Sequence, residues 1–372
     1  MDNFEKSQLI KDDPISCCRY FNHKVAKLMT FLKTKSGIFG CHNVIDSFEK
    51  VEFQSRGSAH EHILLWCENV PSYVSNTANK SLISFIDQHV TCKNDSDNPF
   101  IKYVKHRHTH TCYKRNRSKK VCRFHFPKFV MKETLILEPL LACERTPNLV
   151  QDFKNVRAFH EELFANEQDM TFLEILSKLN ITEDAYILAI RSSLKRTSIF
   201  LRRNSTEVAI NSYNPVILSL FESNIDLQFV FDDYAVANYV VNCMCKCESG
   251  LSTLLREVAH DISNGHTTPR EKFRKIANVF INSNLMSAQE AAYHCLSLPL
   301  SRSSRGFIYI NTNPPEERVR LLKSKPDLEK LCPSSEEIFV DDIFKKYKNR
   351  SIELHNICLA EFAASYHKYY SL

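Results

Sequence analysis

Residues 51–66 read VEFQSRGSAHEHILLW, with His60 and His62 one residue apart. In an extended strand residues i and i+2 face the same side, so the two imidazoles stand together and can serve one divalent ion. The preceding stretch offers Glu52 and Gln54 at the same spacing. A turn through Arg56, Gly57 and Ser58 brings one of them beside the histidines in a hairpin. Two nitrogens and one oxygen leave coordination positions open, as a catalytic metal requires and a closed structural site does not. On its own H-x-H is a weak signal in a chain with 15 histidines, where packed or surface imidazoles account for it as readily.

These side chains need a hairpin to carry them and helices to cover it. Apolar residues recur at helical spacing from Ile15 to Leu32, after the start signals Asp12, Asp13 and Pro14. NVIDSFEKVEFQ and AHEHILLW mix β-branched and aromatic residues with polar ones and read as two strands. The chain is helix-rich from about Asn148 to Phe200. Asn224 to Asp233 alternates Ile225, Leu227 and Phe229 with polar neighbours, which predicts a half-buried strand. YAVANYVVNCMCKCESG reads as a buried helix ended by Gly250, and Ser287 with Glu290 has capping-box spacing at another helix start.

Of 372 residues 43% are hydrophobic and 25% charged, a globular composition with enough apolar surface for a core. The net charge of +6 says less than its distribution: Lys102 to Lys128 holds ten Lys or Arg and no Asp or Glu. Such a block suits a polyanion, although a solvated basic loop has the same composition. The same region gathers the soft ligands Cys92, His106, His108, His110, Cys112, Cys122 and His125, so a tetrahedral zinc site could pin the loop to the body. Fourteen cysteines are spread along the chain, and MDNFEKSQLIKDDP has no basic segment leading into an apolar one. Reduced thiols and a nuclear or cytoplasmic, non-secreted protein are expected. No apolar run approaches the roughly 18 residues of a membrane span. The six glycines fit neither a Walker loop nor G-x-G-x-x-G, which excludes an ATP-dependent helicase or a Rossmann enzyme on these residues.

VEFQSRGSAHEHILLW resembles the corresponding segment of Helitron transposon replication initiators, rolling-circle transposases whose nuclease belongs to the HUH family. DDPISCCRYFNHKV, IFGCHNVIDSFEKVEFQ, CRFHFPK, NIDLQFV, ANYVVNCMCKCESG, SAQEAAYHCLSLPLSRSSRGFIYINT and PPEERVRLLK look like landmarks of the Helitron helicase-like N-terminal region, in order. The resemblance implies an α+β protein: a central antiparallel sheet of the HUH palm type (ferredoxin- or RRM-like) with packed helices, a basic zinc-like insertion and a helical C-terminal part. The expected organisation is an N-terminal helical segment 1–36, a nuclease-like domain 37–256 with insertions 88–130 and 145–200, and a C-terminal extension 257–372.

The resemblance also implies the chemistry. A tyrosine hydroxyl attacks a phosphodiester of single-stranded DNA at a transposon end, giving a 5′-phosphotyrosine and a free 3′-hydroxyl, with Mg²⁺ or Mn²⁺ neutralising developing charge. His60 and His62 are then the metal pair, and Glu52 (alternatively Gln54) the third ligand. Tyr239 is the nucleophile and Lys246 a basic partner for phosphate. The family carries a second tyrosine four residues after the first, and this sequence has Cys243 there. Cys92, His108, Cys112 and Cys122, with His106 as substitute, resemble the family's zinc-binding pattern. Arg56, Arg115, Arg117, Lys119, Lys120 and Arg123 are expected on DNA phosphates, and a helicase would act in trans.

Two other readings have their own signals. A degenerate or host-adopted single-stranded DNA-binding remnant is favoured by Cys243 and by the lack of a helicase motif. An unrelated zinc hydrolase is disfavoured because HEH is too short for H-E-x-x-H and sits on a strand.

Overall fold

The computed structural model describes residues 3–35, 37–53, 58–109, 112–116, 119–232, 234, 236–239, 268–283, 286–306, 308, 310–318, 320–332 and 334–366. It mixes helices with small antiparallel sheets and divides into two units, residues 1–303 and 304–372.

In the first unit α1 (Asn3–Asp12) precedes α2 (Pro14–Leu32). The Asp13 carboxylate accepts the Ser16 N–H at 3.0 Å, and Pro14 occupies the first turn, where no amide is needed. Helix α2 buries Cys18, Val25, Leu28, Met29 and Leu32 along one stripe. Strands β1 (Val44–Phe53) and β2 (Ala59–Cys67) pair antiparallel, with Glu52 opposite His60 and Lys50 opposite His62. The odd-numbered residues Val51, Phe53, Ala59, Ile63 and Leu65 pack under α2 and its neighbours, so the even-numbered histidines take the other face.

Helix α3 (Lys80–His89) and the single turn α4 (Ile101–Val104) lead to the hairpin β3 (Tyr113–Asn116) and β4 (Lys119–Cys122). Strand β5 (Leu135–Leu137) then pairs with β6 (Ser198–Phe200). Between them lie α5 (Pro147–Asn166), α6 (Phe172–Leu179) and α7 (Glu183–Ser193), packed around Val156, Leu176, Tyr186 and Ile190. Here His160 is fully buried: its Nε2 accepts the Val130 N–H at 3.0 Å and its Nδ1 donates to the Val156 carbonyl at 2.8 Å. Burial holds its pKa down to about 4. Helix α8 (Pro215–Phe221) follows.

Residues 224–232 correct the expected strand. Ile225, Leu227, Phe229 and Phe231 are half-buried and alternate with exposed neighbours, as the sequence pattern required. The segment forms no strand; a bond from Leu227 N–H to the Ser212 carbonyl at 3.1 Å ties it down. Its alternation reflects side-chain packing rather than a ladder.

After α9 (Pro269–Ser283), α10 (Ala288–Cys295) starts at Ser287, whose hydroxyl accepts the Glu290 N–H at 3.1 Å. Helix α10 packs on α2, the Cys18 thiol donating to the Gln289 carbonyl at 3.1 Å. Strand β7 (Ser301–Ser303) pairs with β1, giving the order β2–β1–β7. Thus residues 301–303, from the stretch expected as an extension, form the third strand of the histidine-bearing sheet. The boundary expected at 256–257 lies outside the described residues. The second unit contains α11 (Lys325–Leu328), α12 (Ile343–Lys348) and α13 (Leu359–Tyr366), with the Phe362 ring 5.4 Å from that of Tyr347.

Candidate active site

Glu52, His60 and His62 share the face of β1–β2 opposite α2. The Glu52 Oε2 lies 2.9 Å from His62 Nε2, diagonally across the strands. The His60 and His62 rings are 4.7 Å apart and nearly perpendicular. Residues 236–239 are helical, and at their end the Tyr239 hydroxyl is 3.4 Å from His62 Nδ1. His62 therefore stands between a carboxylate and a phenol. When Nε2 carries the proton donated to Glu52, Nδ1 is the bare nitrogen facing the Tyr239 O–H. Tyr239 is 55% exposed, so its hydroxyl is within reach of a ligand in solution.

The donor set suits a small hard cation. An octahedral ion with bonds of about 2.1 Å has ligand–ligand edges of about 3.0 Å, and the Glu52–His62 separation of 2.9 Å matches such an edge. His60 adds a nitrogen from the neighbouring position on the same face. Lys50, opposite His62 and two residues from Glu52, puts a cation on this face as well. The i, i+2 relation of Lys50 to Glu52 was the sequence signal for it. Gln54, Arg56, Cys243 and Lys246 lie outside the described residues.

Glu61, between the two histidines, faces the other side as strand alternation demands. Both its carboxylate oxygens are buried without a hydrogen-bond partner among the described residues. Burial, and then the neighbouring Glu49 carboxylate, push its pKa up to about 8; Arg302 and Lys50 oppose the rise. Glu61 is thus held as a neutral acid at neutral pH. Glu49 itself is paired with Arg302 of β7 at 3.6 Å and Lys33 at 3.9 Å.

A second constellation forms at the base of the β3–β4 hairpin. His106, His108, Cys112 and Cys122 bring one donor atom each to within 4.8 Å of one another. His106 Nε2 is 3.3 Å from His108 Nδ1, His108 Nδ1 is 3.3 Å from Cys112 Sγ, and Cys122 Sγ is 3.6 Å from His106 Nε2. A tetrahedral zinc ion with Zn–N and Zn–S bonds of about 2.0–2.3 Å has edges of about 3.3–3.8 Å. Burial, and then the His108 ring, hold the His106 pKa down to about 4, so it is the neutral ligand form at neutral pH. Phe126 stacks on His106 at 4.3 Å and fixes its ring.

Here the structure corrects the expected ligand set. Cys92 is buried among Ile101, Val104 and Tyr213, and its thiol donates to the Arg202 carbonyl at 3.3 Å. Burial pushes that thiol up to about 11, so it behaves as a small apolar residue with an S–H donor. His106, the alternative, stands in the cluster instead; H-x-H at 106 and 108 was the signal.

Of the residues expected on DNA, Arg115 and Lys120 lie directly opposite each other in the β3–β4 register, and Asn116 opposes Lys119. Arg123 is exposed, its guanidinium 4.6 Å over the Phe124 ring. Arg117 lies outside the described residues.

Residues 1–65 match the family model of the Helitron helicase-like domain at the N-terminus. The matched segment includes α1, α2, β1 and most of β2, hence Glu52, His60 and His62, and supports a Helitron-related protein. Tyr239 and the Cys/His cluster lie beyond it. No curated protein and no solved structure matches the chain. No helix among the described residues is long and apolar enough to cross a membrane.

Proposed function

We propose that the chain is a Helitron-type nuclease domain of the HUH class, which nicks and rejoins single-stranded DNA at transposon ends through a 5′-phosphotyrosine on Tyr239. One observation carries the reading: the Tyr239 hydroxyl is 3.4 Å from His62, which is bonded in turn to Glu52 on a sheet face shared with His60. A three-stranded antiparallel sheet covered by α2 and α10 supports the reading, because an HUH palm would carry its histidines on such a sheet.

His62 Nδ1 holds and orients the phenol. With Nε2 turned to a metal, Nδ1 carries the ring proton and donates to the Tyr239 oxygen, and the phenol's own proton passes to water as that oxygen attacks phosphorus. The P–O3′ bond breaks, and the leaving deoxyribose oxygen takes a proton from water or a neighbouring acid. Lys50 stands beside His62, where a cation stabilises the anionic phosphate. A Mg²⁺ or Mn²⁺ ion held by His60, His62 and Glu52 would neutralise charge on a non-bridging oxygen. A zinc ion held by His106, His108, Cys112 and Cys122 would fix the basic hairpin, so that Arg115, Lys119 and Lys120 meet the DNA backbone.

Incubation with Mn²⁺ and a single-stranded oligonucleotide should give cleavage and a covalent protein–DNA adduct on a denaturing gel. Tyr239→Phe should abolish both; an adduct of unchanged yield in that variant contradicts the assignment. Cys243, where the family has its second tyrosine, favours a second reading as a non-catalytic single-stranded DNA-binding remnant. Under that reading the chain binds in a salt-sensitive way and no cleavage appears in Mn²⁺.

A further inference from the structure

Beside the Cys/His cluster, and apart from the Tyr239 face, a cleft of about 410 Å³ opens between residues 105–108, the C-terminal end of α5 and residues 205–209. We propose that this cleft seats one nucleotide of single-stranded DNA, with the base on Phe164 and its phosphate at Arg107 and Lys105.

The groups a nucleotide needs are distributed around the cleft in separate places. Phe164 is half-buried, its ring held 4.8 Å from that of His108, which leaves an aromatic wall of fixed orientation. Bases stack on such a wall whatever their identity. Lys105 reaches Glu167 at 3.1 Å on the rim. Arg107 is exposed and has no ion pair or hydrogen bond among the described residues. Asn94 and Thr206 are exposed on the opposite wall, and their side-chain groups have no partner among the described residues. An amide and a hydroxyl there can give and receive hydrogen bonds with a base edge or sugar.

Charge continuity selects a nucleic-acid strand as the occupant. Arg107 belongs to the run of ten cations without an acid from Lys102 to Lys128. The four-residue cluster ties the cleft wall, at His106 and His108, to the hairpin that carries the rest of the run. The wall itself is anchored: His106 N–H bonds the Ala209 carbonyl at 2.8 Å, and Lys105 bridges to Ile210.

The proposal rests on the single-strand reading above, and binding can be separated from cleavage. Fluorescence anisotropy of the full chain with a labelled oligothymidylate, without divalent metal, reads affinity against salt. Arg107→Gln, at an exposed position, should weaken binding about three- to tenfold at low salt and flatten the salt slope by about one counterion. Phe164→Leu keeps an apolar filler and loses the π face; a loss of at least about fivefold is expected at every salt concentration. Thr206→Ala should cost about two- to fivefold and covers the case in which Phe164→Leu fails to fold. Wild-type affinity and slope in Arg107→Gln and Thr206→Ala overturn the cleft as a site. If the wild-type chain still forms its Tyr239 adduct, the nuclease reading survives that result. If it neither binds nor cleaves the strand, both fall.

Discussion

At the level of single residues, the site centres on His62, which touches a carboxylate with one nitrogen and a phenol with the other. Replacing Glu52 by Gln keeps the shape but removes the charge that orients His62. Nicking should fall about 10- to 100-fold, as for other partners that orient a ligating or catalytic histidine, and rates of the variant in Mn²⁺ measure it. Glu61 gives a prediction of opposite sign. Its pKa is raised to about 8 by burial and by Glu49. From about pH 4.5 to 8 the folded chain keeps a proton that the unfolded chain has released, so this group's contribution to stability falls as pH rises. Glu61→Gln should flatten that dependence and stabilise the fold by about 1–2 kcal/mol at pH 7, read as a shift in the denaturation midpoint. A variant less stable than wild type at pH 7 to 8 would contradict the neutral-acid assignment.

Among the elements, the β3–β4 hairpin depends on its four-residue base. Cys122→Ser should lower bound zinc, measured by elemental analysis, from about one equivalent to well below one, and loosen protection of the hairpin amides in hydrogen exchange. Cys92→Ala should keep its metal and cost only about 1 kcal/mol for lost packing; loss of metal in that variant would restore Cys92 as a ligand. Legibility in the sequence followed the range of the interaction. Helix α2 was readable because Asp13, Pro14 and its apolar stripe are local signals, and the β1–β2 hairpin because alternation is local. Residues 224–232 carried the same alternation but found no ladder partner, a fact set by chain far away in sequence. Cys92 and His106 could not be ranked as ligands by spacing, because burial against Arg202 and Tyr213 decides the matter.

For the whole molecule, the sheet that presents His60 and His62 is completed from a distance of more than two hundred residues. Strand β7 supplies Arg302 to Glu49, and α10 supplies Tyr293 beneath Val51 and Phe53. A chain cut after residue 303 should therefore melt cooperatively and still bind single-stranded DNA. One cut after 286 should lose the transition or melt far lower, exposing Val51 and the Glu49–Glu61 pair to water; equal melting of the two truncations would contradict this dependence. The hairpin and its H-x-H could be read from sequence, and family resemblance named Tyr239 as the expected nucleophile. What no local pattern contained was that Tyr239, 177 residues beyond His62, ends within hydrogen-bond range of it. That contact is tested most directly by mass spectrometry of the covalent product after nuclease and protease digestion. A nucleotide-modified peptide with the phosphate on Tyr239 is expected. Modification at another residue, or no modified peptide from a chain that binds the strand in Mn²⁺, would contradict it.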